Sequence, residues 1–144
     1  MGAMTELLLY CAARAQIVSE VIVPALQQGT TVLCDRFYDS TIAYQGYGLR
    51  MDQAMVRRLC RLATQGLTPD MTFLFDVPVR TGLRRAGRTD RIEARSLRYH
   101  ERVRKGFRML AKEAPRRFIV IDGTRSIEDV RTHVVEHVCH ALGK

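Results

Sequence analysis

The chain has 144 residues, 47% of them hydrophobic and 26% charged, a composition typical of one soluble globular domain and not of a disordered chain. No apolar run approaches the roughly 20 residues that cross a bilayer, so the sequence predicts no membrane-spanning segment. The formal charge of +8, carried mostly by arginine, favours an anionic partner, and phosphate ligands and nucleic acid both fit it.

The first half of the chain predicts helices around one short strand. Residues 5–26 contain almost no turn formers and predict one long helix, kinked near its proline. Its few polar residues cannot cover a full face, so we expect it to pack on a sheet and on a partner subunit. Residues 31–34 predict a buried strand ending at Asp35, a short helix is expected through residue 47, and Asp52 is expected to cap the next helix.

The second half alternates strands and helices. Residues 71–77 and 117–121 predict buried strands, and residues 79–86 and 94–113 predict helices between them. Ser126 is expected to cap the final helix, whose acidic first turn complements the helix dipole. This alternation predicts an α/β fold, a single domain with a parallel sheet flanked by helices and joined by right-handed crossovers.

Each predicted strand ends in a carboxylate: Asp35, Asp76 or Asp122. In open parallel sheets, ligands bind outside these strand ends. Asp76 and Asp122 serve equally well as turn caps. Asp35 differs because Arg36 follows it, which places a carboxylate able to hold hydrated Mg²⁺ beside a guanidinium able to hold phosphate.

The four cysteines, Cys11, Cys34, Cys60 and Cys139, lie far apart, and no pair has the C-x-x-C spacing. Most of them sit in apolar segments. We therefore expect reduced, buried thiols in a cytoplasmic protein and no disulfide framework.

The run VLCDRFYDSTIAYQG at residues 32–46 resembles the signature of bacterial thymidylate kinases. Other segments are similar to that family in order and spacing: TELLLYCAARAQ at 5–16, TPDMT at 68–72, DRIE at 90–93 and YHERV at 99–103. The resemblance covers nearly all of residues 1–144. It implies a P-loop-kinase-like fold and a nucleoside monophosphate kinase that converts dTMP to dTDP with ATP and Mg²⁺, in dTTP biosynthesis. It also implies a cytoplasmic homodimer formed through the long amino-terminal helix.

The resemblance implies a substrate site for dTMP made by Tyr10, Arg14, Arg36, Thr41, Tyr44 and Gln45. It also implies that Asp35 and Arg36 are catalytic residues and that Asp35 is the Mg²⁺ ligand. Tyr10 and Arg14 are four residues apart and share a helix face, where a ring can stack on a base while a cation reaches its carbonyl or phosphate. The alternatives are that Tyr10 belongs to the core, that Arg14 is a surface charge and that Tyr44 only packs.

An arginine-dense segment over residues 84–92 resembles the family's mobile LID. The resemblance implies that Arg85 or Arg88 is catalytic and stabilises charge on the transferred phosphoryl group, and that Arg84 and Arg91 bind ATP. The alternative is a solvated basic loop.

The sequence also departs from the family. No G-x-x-x-x-G-K-[ST] motif occurs, so we expect a fold that lacks its first strand and P-loop, with a gap between the strands ending at Asp35 and Asp76. Such a chain is expected to be inactive alone, either as the carboxyl-terminal part of a longer enzyme or as a fragment with rearranged pairing. In addition, Leu49-Arg50 stands where the family has Arg-Gly.

Three other functions remain open from the sequence. The chain is alternatively an inactive fragment that retains nucleotide binding, or a related deoxynucleoside kinase with the same Asp-Arg strand end. A basic nucleic-acid-binding protein is less favoured, because no nucleic-acid-binding motif accompanies the charge.

Overall fold

A computed structural model of the chain describes residues 1–87 and 91–143. Two compact units are present: Met1–Thr68 with Arg98–Arg108 form unit 1, and Pro69–Leu97 with Met109–Lys144 form unit 2. The elements in chain order are α1 (Ala3–Ile17), a π-helical turn (Val18–Ile22), α2 (Val23–Gln27), α3 (Tyr38–Thr41), a π-helix (Ile42–Gly48), α4 (Gln53–Ala63), β1 (Thr72–Asp76), α5 (Val79–Ala86), α6 (Leu97–Glu113), β2 (Phe118–Asp122) and α7 (Ile127–Ala141).

The long amino-terminal helix is confirmed. It runs without a break over Ala3–Gln27, and the π-helical turn Val18–Ile22 lies just before Pro24. Proline lacks the N–H of a regular helix, and a wide turn is one way to accommodate it. The helix ends where Gly29 adopts a left-handed backbone with φ 73°.

The expectation that no apolar segment is long enough to cross a membrane is wrong for this helix. Ala3–Gln27 is long enough, and an 18-residue window inside it has a mean hydropathy of 1.4, because the few charged residues of the helix, Glu6, Arg14 and Glu20, are widely spaced. Core helices and interface helices have the same length and composition. Its first turn packs on protein, since Glu6 is 1% exposed and accepts a hydrogen bond from Gln45.

The predicted strand at residues 31–34 is wrong. These residues have no regular secondary structure, Leu33 is 92% exposed, and Cys34 is exposed as well. A strand requires the backbone of a neighbour, and within residues 1–87 and 91–143 the sheet consists of β1 and β2 alone. The missing pairing agrees with the gap expected beside Asp35.

The two other predicted strands are confirmed, and they form a parallel pair in unit 2. The register runs from Thr72 opposite Phe118 to Asp76 opposite Asp122, which places the two carboxyl-terminal aspartates side by side. Helices precede and follow each strand. The architecture is therefore α/β, with a small parallel sheet, as the alternation of elements predicted.

The caps predicted for α4 and α7 are confirmed. Asp52 accepts a hydrogen bond from the Ala54 amide at 3.0 Å, and Ser126 Oγ accepts one from the Asp129 amide at 3.1 Å. Asp122 serves as a turn cap, one of the two roles left open for it: its Oδ1 accepts from the hydroxyl and amide of Thr124 at 2.6 and 2.9 Å. Both hydrogen bonds lower the pKa of Asp122, and the bond from the Thr124 hydroxyl contributes most.

Candidate functional site

Arg14 connects the long helix to the segment that carries the Asp-Arg sequence. Its Nη2 donates to Thr41 Oγ1 at 3.3 Å, and its guanidinium carbon lies 5.2 Å from the centre of the Phe37 ring. Among the residues that the structure describes, the buried Arg14 Nε has no hydrogen-bond partner. Arg14 is thus fixed in position, an arrangement that suits the binding of a polar ligand by its terminal guanidinium nitrogens.

Arg36 stands at the edge of an aromatic cluster. Its guanidinium carbon lies 5.2 Å from the centre of the Tyr44 ring, and that ring meets Tyr99 and Phe107 edge-on at 6.4 and 6.0 Å. Arg36 is exposed and has a φ of 66°, which non-glycine residues rarely adopt. Backbone strain of this kind often accompanies functional sites.

The two arginines converge on one short stretch of unit 1. Arg36 and Phe37 are consecutive, and Thr41 lies one helical turn before Tyr44. Arg14 contacts the first part of this stretch and Arg36 the second. Two guanidiniums anchored on aromatic rings can bind a phosphate and a planar base together.

The side chain of Gln45 is buried and makes a hydrogen bond within the protein. Its Nε2 donates to Glu6 Oε1 at 2.8 Å, and both side chains are 1% exposed. Sequence reasoning missed Glu6, although Glu6, Tyr10 and Arg14 recur every four residues on one face of α1. The pair joins the π-helix to α1 and so holds Tyr44, the residue before Gln45, in place.

The remaining predicted residues of unit 1 lie in exposed positions. Tyr10 is 40% exposed and stands on α1 between Glu6 and Arg14. Asp35 is exposed in a bend, directly before Arg36. The structure therefore brings Arg14, Arg36, Thr41 and Tyr44 together, and it adds Phe37, which sequence reasoning also missed because a single ring in a loop has no distinguishing pattern.

Two of the cysteines lie beside this site. Cys11 on α1 and Cys60 on α4 are buried, and Cys60 Sγ lies 4.0 Å from the carbonyl of Tyr38. A hydrogen bond from Cys60 lowers the pKa of the Cys11 thiol to about 7; burial opposes this shift and Arg14 adds to it. The same hydrogen bond and burial raise the pKa of Cys60. Cys34 is exposed and Cys139 half-buried, so the prediction of buried thiols is right for only two of the four.

In unit 2, Arg84 and Arg85 occupy the last turn of α5, which ends where Gly87 takes a left-handed φ of 63°. Arg85 Nη1 donates to the carbonyl of Gly123 at 2.7 Å. Arg91 lies in a turn, and Arg88 lies outside the described residues.

The described residues contain no ready-made cluster of Mg²⁺ ligands. No three His, Cys, Asp or Glu side chains in this part of the chain group as metal ligands, and Asp35 offers a single carboxylate. The sequence also has no Walker A motif whose backbone amides would surround the phosphates. A Mg²⁺ ion held through Asp35 would need further ligands, such as phosphate oxygens and water.

Comparisons with known proteins agree on one family. The family model described as thymidylate kinase matches residues 1–134. The chain is 50% identical over 140 residues to a thymidylate kinase of Exiguobacterium sp., covering 95% of this chain and 66% of that protein. It is 53% identical over 135 residues to one of Desulfovibrio desulfuricans, covering 87% and 62%.

A solved structure gives the same result. The thymidylate kinase of Ehrlichia chaffeensis superposes with a TM-score of 0.78 at 34% sequence identity, covering 96% of this chain and 65% of that one. The chain thus spans about two-thirds of the length of the proteins it matches. With the family model and both relatives in agreement, the chain belongs to the thymidylate kinase family.

Proposed function

We propose that unit 1 is the dTMP-binding part of a thymidylate kinase, an enzyme that transfers a phosphoryl group from ATP to dTMP and yields dTDP and ADP. Family membership supports this substrate. The observation that carries the proposal is the pair of arginines anchored on aromatic rings, Arg14 over Phe37 and Arg36 over Tyr44. A pyrimidine monophosphate presents the two matching features, a flat base with carbonyl oxygens and a dianionic phosphate.

Each residue of this cluster has a proposed role. Arg36 binds the phosphate of dTMP, since it is the exposed cation and a guanidinium can donate two parallel hydrogen bonds. Arg14 and Thr41, joined by a hydrogen bond, line the nucleoside side of the pocket; Arg14 is half-buried, and its terminal guanidinium nitrogens, not the buried Nε, donate to the nucleoside. Tyr44 forms a wall of the pocket, and Tyr10 supplies a face for stacking.

Gln45 has a different role from the one the resemblance implied. Its Nε2 is committed to Glu6, so we propose that Gln45 positions the π-helix and leaves direct contact with the base to its neighbours. The proposal retains Asp35, the residue before Arg36, as the catalytic carboxylate and as the side chain that would hold Mg²⁺. It also retains the LID arginines as groups that act on ATP: Arg85 or Arg88 in catalysis, Arg84 and Arg91 in binding.

Dimer formation through the long helix is also part of the proposal. Several large apolar side chains on α1 and the following π-helical turn are about half exposed within this chain: Leu8, Leu9, Ile17 and Val21. A second copy of the helix would remove this surface from water. We propose a cytoplasmic homodimer, and light scattering on the purified chain tests its stoichiometry.

Calorimetric titration of dTMP, thymidine and dAMP tests the substrate. We expect dTMP to bind most tightly, because thymidine lacks the phosphate for Arg36 and dAMP presents a larger base with a different edge. Equal affinity for the three compounds would contradict the proposal.

A coupled assay for ADP release tests the chemistry. We expect no phosphoryl transfer by these 144 residues alone, because they contain no Walker A motif. The chain by itself then acts as a nucleotide-binding fragment. Turnover by the isolated chain would contradict this mechanistic reasoning while supporting the substrate.

A further inference from the structure

A cavity that is wide open to solvent lies within unit 1, between the loop after the π-helix and the first half of α6. Its volume is about 360 Å³, and its lining is almost entirely charged: Arg50, Arg98, Glu101, Arg102 and Lys105. We call it the α6 groove. None of these five residues belongs to the candidate dTMP site.

The groove is cationic because of the helical spacing of its lining. Arg98, Glu101, Arg102 and Lys105 follow one another at intervals of three, one and three residues, which places them on one face of α6. Arg50 adds a fourth cation from the facing loop, so four cations surround one carboxylate. Within residues 1–87 and 91–143, no carboxylate pairs with Arg50, Arg98 or Lys105.

Arg50 is held in an unusual backbone conformation. Its φ is 59°, in the left-handed region that favours glycine, and it stands where the resemblance led us to expect glycine. The adjoining backbone is fixed on both sides, by a hydrogen bond from the Leu49 amide to the Tyr44 carbonyl and one from the Met51 amide to the Gln45 carbonyl. The fixed turn thus presents a cation to the groove at a position where glycine would present none.

Arg102 gives the groove a rigid wall. Its Nε and Nη2 donate to the carbonyl of Gly48 at 3.0 and 2.7 Å. This fork fixes the loop against α6 and fixes the direction of the guanidinium. Arg98, Lys105 and Arg50 are exposed, so their charges are accessible to a ligand.

We propose that the α6 groove binds a small ligand that carries a diphosphate or triphosphate group. Several cations around one open cavity suit a compact ligand with several negative charges, and arginine forks match phosphate oxygens. The lining has four cations against one carboxylate, so its net positive charge attracts a chain of phosphates, with several negative charges, more strongly than a single phosphate. The proposal does not depend on dTMP binding elsewhere in unit 1.

Titration with inorganic tripolyphosphate, followed by calorimetry, tests the groove. The double substitution Arg98→Gln with Lys105→Gln should weaken binding about tenfold or more, since it removes two charge-assisted contacts. Arg50→Gly should also weaken binding, and it removes an unfavourable conformation, so a loss of binding there does not arise from unfolding. The matched control is Arg58→Gln with Arg61→Gln, which removes two charges from exposed positions of α4.

Several outcomes overturn the proposal. Equal weakening by the control pair would show attraction to net charge only, and absence of binding at millimolar tripolyphosphate would show no site. Loss of binding in Arg36→Gly, with binding retained in the groove variants, would place the anion at the candidate dTMP site. Tighter binding of a short DNA duplex than of a nucleoside triphosphate, abolished by the groove variants, would identify a nucleic-acid surface instead.

Discussion

Substitution of glycine by alanine should have opposite effects on stability at two positions in helix interiors. A Cβ added to Gly106 on α6 would lie 2.8 Å from Cδ2 and Cγ of Tyr47 and 2.9 Å from its Cβ. A Cβ added to Gly82 on α5 meets no atom within 4 Å. Both positions otherwise favour alanine, by about 0.5–1 kcal/mol per residue in a helix.

Gly82→Ala should therefore raise the free energy of unfolding by about 0.5–1 kcal/mol. At Gly106 the contact falls on the root of the Tyr47 side chain, which cannot rotate away, and overpacking of this kind costs about 1–3 kcal/mol. The helix preference offsets part of that cost, so Gly106→Ala should lower the free energy of unfolding by about 1–2 kcal/mol.

Urea unfolding followed by circular dichroism measures both variants against the parent chain. If both alanine variants shift the free energy of unfolding equally and in the same direction, helix propensity alone decides the outcome. That result would contradict the close packing of α6 on the π-helix. Gly106→Ser, which is larger still, should be at least as destabilised as the alanine variant.

Three further substitutions, and a pH dependence linked to the first, concern side chains in the core and on the surface of unit 1. Cys60→Ala should raise the pKa of Cys11 from about 7 toward its ordinary value of 9.0, measured by the ultraviolet absorbance of the thiolate. In the parent chain, the free energy of unfolding should rise between pH 7 and 9, because folded Cys11 has released a proton that the unfolded chain still holds. This added stability should be lost as the pH falls through 7. Gln45→Leu should cost about 1–3 kcal/mol of stability, because buried Glu6 loses a hydrogen-bond donor. Asp52→Ala should cost about 1 kcal/mol, because α4 loses its cap.

Each of these has a matched control. Cys60→Ser keeps a donor and should restore most of the lowered Cys11 pKa, whereas equal pKa values in both variants would exclude the hydrogen bond as the cause. Gln45→Glu places two carboxyl groups together and should make stability depend strongly on pH. Asp52→Asn should retain most of the stability, since its amide oxygen also caps; a loss as large as that of alanine would contradict the capping geometry.

Local chemistry predicted much of the fold. Asp52 and Ser126 marked helix starts correctly because a cap depends only on residues within one turn. The strand at residues 31–34 failed because strand formation depends on a partner, and its apolar residues resemble those of any buried strand. Leu33 is therefore exposed despite its sequence context.

In the candidate site too, local features follow from the sequence whereas contacts between distant residues do not. The spacing of Tyr10 and Arg14 on one helix face follows from the sequence, but the contact from Arg14 to Thr41 joins residues 27 positions apart. The hydrogen bond between Gln45 and Glu6 spans 39 positions, and no local pattern indicates which of the two residues a ligand meets. Long-range pairing of polar groups depends on packing, so the roles of these residues required the structure.

The most direct measurement is the affinity of dTMP and thymidine for the parent chain and for Arg36→Gly. Glycine fits the left-handed backbone at this position, so the variant removes the guanidinium without adding strain. We expect the variant to lose about 1.5–3 kcal/mol of dTMP binding, the worth of hydrogen bonds to a charged group, and to bind thymidine as before. An unchanged preference for dTMP over thymidine in Arg36→Gly would contradict the placement of the phosphate at Arg36.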